Sequence, residues 1–184
     1  MEKHYKKILK DTEDRVFSRL RIQELDEKSP WYGGFYDRDR IVQAKYAIIC
    51  VEPMITLYCN PDSRYYRSSL LAQRAELGLS YIRSVQHENG LFDYVTCNFF
   101  SAPDTAFCIG FFIPLYEYLS KKEERTGQEE DFLRKVGEIV HDGHTACWRA
   151  ASIPPTTVGP SPPHWQNAGC FSEIKNWRIL LKST

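Results

Sequence analysis

The sequence has no excess of either charge, lysine plus arginine equalling aspartate plus glutamate at 24 each. A chain without a net field has little to draw it onto a phosphate backbone or an anionic lipid surface, so neither nucleic acid nor membrane is expected as a partner. Long hydrophobic runs are also lacking. Nowhere do roughly 18 apolar residues follow one another, as a bilayer span requires, and Met1-Glu2-Lys3-His4 opens no apolar signal segment. A cytoplasmic location is the resulting expectation. The six cysteines, Cys50, Cys59, Cys97, Cys108, Cys147 and Cys170, include no C-x-x-C pair, which removes the spacing of a zinc or thioredoxin-type site. They read as buried free thiols that pack like small hydrophobes. No cofactor and no metal is expected.

What is present is an ordinary globular composition, 42% hydrophobic and 26% charged over 184 residues, long enough for one domain with a real core. From His4 to Lys28, Tyr5, Ile8, Leu9, Val16, Leu20 and Leu25 recur near helical spacing among charges, which predicts an outward-facing amphipathic helix ended by Ser29-Pro30. Trp31 to Asp37 holds paired glycines and therefore reads as an aromatic loop. Ile41 to Tyr58 is apolar almost throughout, a helix buried on most sides with a kink expected at Pro53. Asn60 to Ser63 reads as a turn and N-cap, and the stripe Tyr66, Leu70, Leu77, Tyr81, Val85 predicts the next helix, ending near Asn89-Gly90.

A long loop, Leu91 to Pro103, comes next, with no strand expected in it. Ser101-x-x-Asp104 then signals a capping box before a buried helix carrying Phe107, Phe111, Leu115 and Tyr118. Thr126-x-x-Glu129 repeats the signal before Phe132, Val136 and Ile139. The fold class that follows is all-α, with antiparallel helix hairpins over residues 1–140 and an irregular Pro-rich segment over 141–184.

Beyond His141 the helical period is lost, and Ile153 to Pro163 carries too many prolines to continue a stack. One reading is a linker or tail. The other is that 141–184 lies out of the native reading frame. Shifting the codons so that each takes the third base of one and the first two of the next forces Leu from both Cys147-Trp148 and His164-Trp165. With other third bases chosen freely, the shifted text holds a polar loop with His and Arg followed by an Ala-rich apolar helix.

Chemistry is concentrated in the loops. Gln86 to Tyr94 and Thr96 to Asp104 mix hydrogen-bonding groups with aromatic faces, which is what sugars need: C–H faces that lie on rings and hydroxyls that require donors and acceptors. Trp31, Tyr32, Phe35, Phe92 and Tyr94 are the candidate substrate-binding residues, and an oligo- or polysaccharide is the expected partner.

Through the helix-pair rhythm, Gln86…Asn89-Gly90-Leu91-Phe92-Asp93 and Asn98-Phe99-Phe100-Ser101-Ala102-Pro103-Asp104, residues 30–140 resemble the (α/α)-toroid carbohydrate-active proteins, in particular the heparinase II/III-like polysaccharide lyases. The resemblance implies part of an (α/α) toroid and an enzyme that cleaves uronate polymers by β-elimination. In that reaction an amide or Arg offsets the uronate charge, a Tyr or His takes the C5 proton, and an acid assists the leaving oxygen. Asn98 matches the amide, and Asp93 and Asp104 complete the candidate catalytic set. The missing partners would lie in the shifted frame, so the chain as written is expected to be an incomplete, inactive portion.

The same pair of carboxylates fits a glycoside hydrolase, and a noncatalytic helical-repeat module binding a glycan or protein is the reading from another class. Plain structural roles stand beside each residue: Asn98 as a turn or cap, Asp104 as the capping carboxylate, Asp93 as a clasp on the Gly90 turn, Asp37 as a cap, and His87 against a helix end. An incomplete toroid is also expected to expose apolar surface and to self-associate. Sequencing the locus checks the frame reading: the shifted frame is expected to stay open beyond the codon for Thr184, and an early stop rejects it.

Overall fold

The computed structural model describes residues 2–151, so Met1 and everything from Ser152 onward, including the Ile153–Pro163 segment, lie outside the described residues. The order of elements is α1 (Glu2–Arg19), α2 (Ala44–Cys59), α3 (Ser69–Ser84), β1 (Phe92–Tyr94), β2 (Asn98–Ser101), α4 (Ala102–Lys121) and α5 (Gly127–Ala151). Over the described residues the chain is mostly helical, as its patterning implies, with one small two-stranded sheet, which the patterning does not imply.

Side-chain contacts fix how the helices run. Tyr5 of α1 bonds Asp62 just past the end of α2, while Arg19 reaches Ile49 in the first half of α2, so these two helices are antiparallel. The short Asn60–Ser68 connection turns α3 back along α2, and Lys122–Thr126 turns α5 back along α4. The two hairpins then lie side by side in parallel. Tyr118 near the end of α4 bonds the Cys59 carbonyl at the end of α2, and Glu76 meets Lys135 while Arg83, later in α3, meets Asp142, later in α5.

The core sits between these layers. Ile48, Met54, Ile55, Leu71, Leu79, Phe112 and Phe132 are all fully buried, each such side chain stabilising the fold by about 1.5–3 kcal/mol. Tyr58 meets Phe132 edge to face across the hairpins at 5.5 Å. Cys50, Cys59, Cys108 and Cys147 are buried free thiols as expected, whereas Cys97 is exposed. Burial pushes the Cys50, Cys59 and Cys108 thiols up to about 12, so they stay protonated and unreactive. Among the described residues no helix is long and apolar enough to cross a membrane.

Several boundaries differ from those the pattern predicts, each for a tertiary reason. Helix α1 stops at Arg19 rather than Lys28, because 22–36 enters a ladder in which Tyr36 bonds the Ile22 carbonyl and Gln23 bridges Phe35. Helix α2 starts at Ala44 rather than Ile41 but runs through Pro53, as the apolar stretch implies. A proline inside a helix leaves the carbonyl four residues earlier without its N–H, and here the Arg19 guanidinium supplies the missing donor to Ile49 at 2.6 Å. The N-cap of α3 is Ser68, not a residue of the Asn60–Ser63 turn, and the helix ends at Ser84, before Asn89-Gly90.

The two capping boxes differ. Thr126 and Glu129 exchange both bonds, the Thr126 N–H donating to the carboxylate at 2.8 Å and the Glu129 N–H to the hydroxyl at 3.3 Å. Glu129 has no exposed surface and pairs with Lys122; burial works to raise its carboxyl, but the bonds from Lys122 and Thr126 hold it below the usual carboxylate range.

The largest correction concerns residue 141, where the helical pattern was expected to fail. Helix α5 runs on to Ala151, so that boundary falls inside a helix. Gly143 permits this: a Cβ there would lie 2.7 Å from Ile109 of α4, and the bare backbone lets the helices close while Ala146 and Cys147 become buried.

Gly90 holds a φ of +88° in the turn closed by its own N–H on the His87 carbonyl. A Cβ there would meet the Asp142 carbonyl of α5 at 2.3 Å. Gly90→Ala is therefore expected to destabilise the protein by about 1–3 kcal/mol and to lower the melting temperature by roughly 2–4 °C per kcal/mol, measured by thermal unfolding. A melting temperature equal to that of the parent would show that the turn has room to move.

Candidate functional site

One end of the molecule collects the start of α2, the end of α3, the start of α4 and the later turns of α5. Lys45, in the first turn of α2, holds its ammonium 5.5 Å from the Tyr94 ring, and Cys147 of α5 donates its thiol to the Ala102 carbonyl at the head of α4. The hairpin β1–β2 rises from this end. It is anchored by Thr105, fully buried in the first turn of α4, whose hydroxyl accepts the Phe92 N–H at 2.8 Å and donates to the Ser101 carbonyl at 2.6 Å.

The three candidate catalytic residues all fall within this hairpin and its junction with α4. Asp93, on β1, accepts the Phe100 N–H at 2.7 Å, and its Oδ1 lies 2.9 Å from His87 Nε2 without the alignment of a hydrogen bond. The His87 ring stacks on Phe100 with centroids 4.2 Å apart. Phe100 itself sits at a φ of +50°, a left-handed conformation that costs a bulky residue on the order of 1 kcal/mol or more. The Asp93 bond and the His87 stack offset that strain.

Asn98 stands opposite Tyr94 in the sheet, and its amide donates to the Ser101 hydroxyl at 2.9 Å. That hydroxyl accepts the Asp104 N–H at 3.2 Å and donates to the Asp104 carboxylate at 2.5 Å. The Ser101–Asp104 signature thus caps α4, but the carboxylate takes the serine hydroxyl instead of the serine N–H. Asp93 clasps the hairpin rather than the Gly90 turn, which Asn89 closes by accepting the Leu91 N–H. Asp37 accepts the N–H groups of Asp39 and Ile41 as a turn residue, while α2 starts later, with Gln43 as a cap that makes no side-chain bond.

The five aromatic candidates divide. Trp31 is 48% exposed, and Tyr32 and Tyr94 are half-buried. Phe35 and Phe92 have no exposed surface and cannot present a ring to a ligand: Phe35 packs over Gly78 of α3, and Phe92 lies behind the hairpin against α4. The Trp31 loop rests on the same helix, Gly33 against Leu77 and Gly34 against Tyr81 and Val42. It reaches α3 roughly 1.4 to 2.5 turns before the Gln86–Gly90 turn that leads into the hairpin.

The exposed rings of the hairpin are Phe99 at 66% and Phe100 at 55%, neither of which was singled out from the sequence. Their adjacency held a signal, since consecutive strand residues point to opposite faces and cannot both enter one core. The proximity of His87 to Asp93 had none, because it depends on the turn between them. Clefts of about 330–540 Å³ lie elsewhere, between helices, and are lined by other residues. Among the described residues no group of three or more His, Cys, Asp or Glu is placed to hold a metal ion.

Comparison with protein-family models, with curated proteins and with solved structures gives no match.

The Thr105 hydroxyl is the anchor on which the hairpin depends. Thr105→Val, of nearly the same shape, leaves the buried Phe92 N–H unpaired and is expected to cost about 1–3 kcal/mol, read as a lower denaturant midpoint, whereas Thr105→Ser keeps the bond. Equal losses in both variants would assign the effect to the methyl group.

Proposed function

We propose that this chain is a segment of a carbohydrate-active (α/α) toroid of the uronate polysaccharide lyase type, with the loop end just described as its glycan-contacting rim. The toroid reading is supported by the parallel stacking of the α2–α3 and α4–α5 hairpins, since repeating that sideways step builds a ring or superhelix of helix pairs. The observation that carries the glycan reading is the exposure of the Phe99 and Phe100 rings on the hairpin that also holds Asn98 and Asp93, with His87 stacked on Phe100. Ring faces next to short polar groups suit a sugar's mixed surface.

In a β-elimination on this rim His87, whose ring is one-third exposed with Nε2 buried beside Asp93, is the group suited to accept the C5 proton, on Nδ1. The electron pair of that C–H bond forms the C4–C5 double bond, the C4–O bond breaks, and the departing oxygen takes a proton from an acid. Asn98 is the amide suited to the uronate carboxylate.

A second reading, a noncatalytic glycan-binding module, is favoured by one observation. Asn98, Ser101 and Asp104 bond one another in capping α4, and Asp93 is bonded within the hairpin. The same bonds weigh against Asp93 and Asp104 as the free pair of a glycoside hydrolase.

Both readings predict that the full chain binds uronate oligosaccharides in calorimetry and that Phe99→Ala weakens binding roughly tenfold, or about 1.4 kcal/mol. In a chain restored to the shifted reading frame, the lyase reading adds a rise in unsaturated-product absorbance that His87→Ala abolishes. Binding without that absorbance leaves the module reading, and silence across uronate and neutral glycans removes both.

A further inference from the structure

A second surface lies along the body of α2, on the side that α3 does not cover. Ile49, Glu52, Pro53 and Thr56 floor a groove there, made of two adjoining clefts of about 330 and 400 Å³ that share Glu52 and Thr56. One wall is α1, contributing Tyr5, Thr12, Arg15 and Arg19; the helical period places the exposed Ile8 in the same stripe. The opposite wall is α4, contributing Phe111, Pro114 and Tyr118.

These stripes share one spacing. Tyr5, Ile8, Thr12, Arg15 and Arg19 step by three, four, three and four; Phe111, Pro114 and Tyr118 step by three and four; and Ile49, Glu52 and Thr56 do the same. That alternation is the seam of a helix facing other helices. Three helices thus turn matching seams toward one axis, and among the described residues no fourth helix fills it. Tyr5, Ile8, Phe111 and Tyr118 are each 43–50% exposed as a consequence.

The charges are arranged as well. Glu52 lies in the middle of the floor, mostly buried, with the Thr56 hydroxyl as its hydrogen-bond donor. Burial pushes its carboxyl up, against the pull of Arg19 and Arg15. Those two guanidiniums line one end of the groove and use only part of their N–H groups, Arg15 on Asp11 and Thr12 and Arg19 on Ile49.

We propose that this groove receives an amphipathic α-helix of a partner protein, carrying apolar residues at heptad spacing, a carboxylate opposite Arg15 and Arg19, and a cation opposite Glu52. A helix is the occupant that matches three seams lying along one axis, about 21 Å long on α1 (Tyr5 to Arg19) and about 10 Å on α2 and α4, at 1.5 Å per residue. A second copy docked groove to groove would meet concave surface with concave surface and leave the axis empty. The inference does not rest on the glycan reading.

Fluorescence anisotropy on the full chain tests it, using a labelled peptide of roughly 20 residues (long enough for the 21 Å span) with leucine at heptad positions, glutamates near one end and a central lysine. A peptide of the same composition in scrambled order is the control. The ordered peptide is expected to bind at least tenfold more tightly than the scrambled one. Ile8→Asp and Phe111→Asp, both at exposed positions and checked for folding by circular dichroism, are each expected to weaken it at least tenfold. Glu52→Gln is expected to remove the preference for the central lysine over norleucine. Equal binding of both peptides, no binding of either, or unchanged binding to both folded variants overturns the proposal. Dimerisation abolished by Ile8→Asp, without peptide binding, overturns it in favour of a second copy.

Discussion

Gln86 is buried where the end of α3, the Gly90 turn and α5 come together, and its amide nitrogen donates to the backbone carbonyls of both Gly90 and Ile139. Its oxygen accepts from Arg83, which in turn pairs with Asp142. One side chain therefore closes the turn into the hairpin and sets α3 against α5 in parallel. An apolar side chain there would leave the Gly90 carbonyl without this donor in a buried space, at a cost of about 1–3 kcal/mol. The close approach of Gly90 to Asp142 and of Gly143 to Ile109 is possible because this junction is held so tightly.

The rim inherits its order from that junction. With the Gly90 turn in place, β1 starts against α4, Thr105 takes the Phe92 N–H, and the sheet brings Asn98 over Ser101. The left-handed Phe100 is tolerated because Asp93 and His87 hold it from two sides. Rigid placement of Asn98, Asp93 and His87 follows from bonds that run into the helices rather than from the loop alone, which is what a binding surface requires. The same bonds occupy the polar groups that a reaction would use. This tension separates the two proposed readings, lyase and binding module.

Patterning was most informative where burial is one-sided and helical. The stripes of α3 and α5, the Ser101 and Thr126 caps and the Asn60–Ser63 turn can be read directly, because each depends on residues within a turn of one another. Failures cluster where distant partners intervene. Gln23, reading as part of a helix, is captured by the Gly33 and Arg74 carbonyls, and α5 passes residue 141 because Gly143 fits against α4. In the loops, aromatic content alone could not separate the exposed Trp31 from the buried Phe35 four residues on.

Local composition and period by themselves determined that this chain would be helical, where most of its helices lie, and which loop segments hold polar and aromatic groups together. Tertiary structure decided the β1–β2 hairpin, the parallel stacking of the helix pairs, the exposure of Phe99 and Phe100, and the meeting of His87 with Asp93. The physical reason is range. Propensity, caps and amphipathic spacing act over a few residues and leave their mark in sequence, whereas burial and hydrogen-bond satisfaction at the rim depend on groups brought together from α2, α3, α4 and α5.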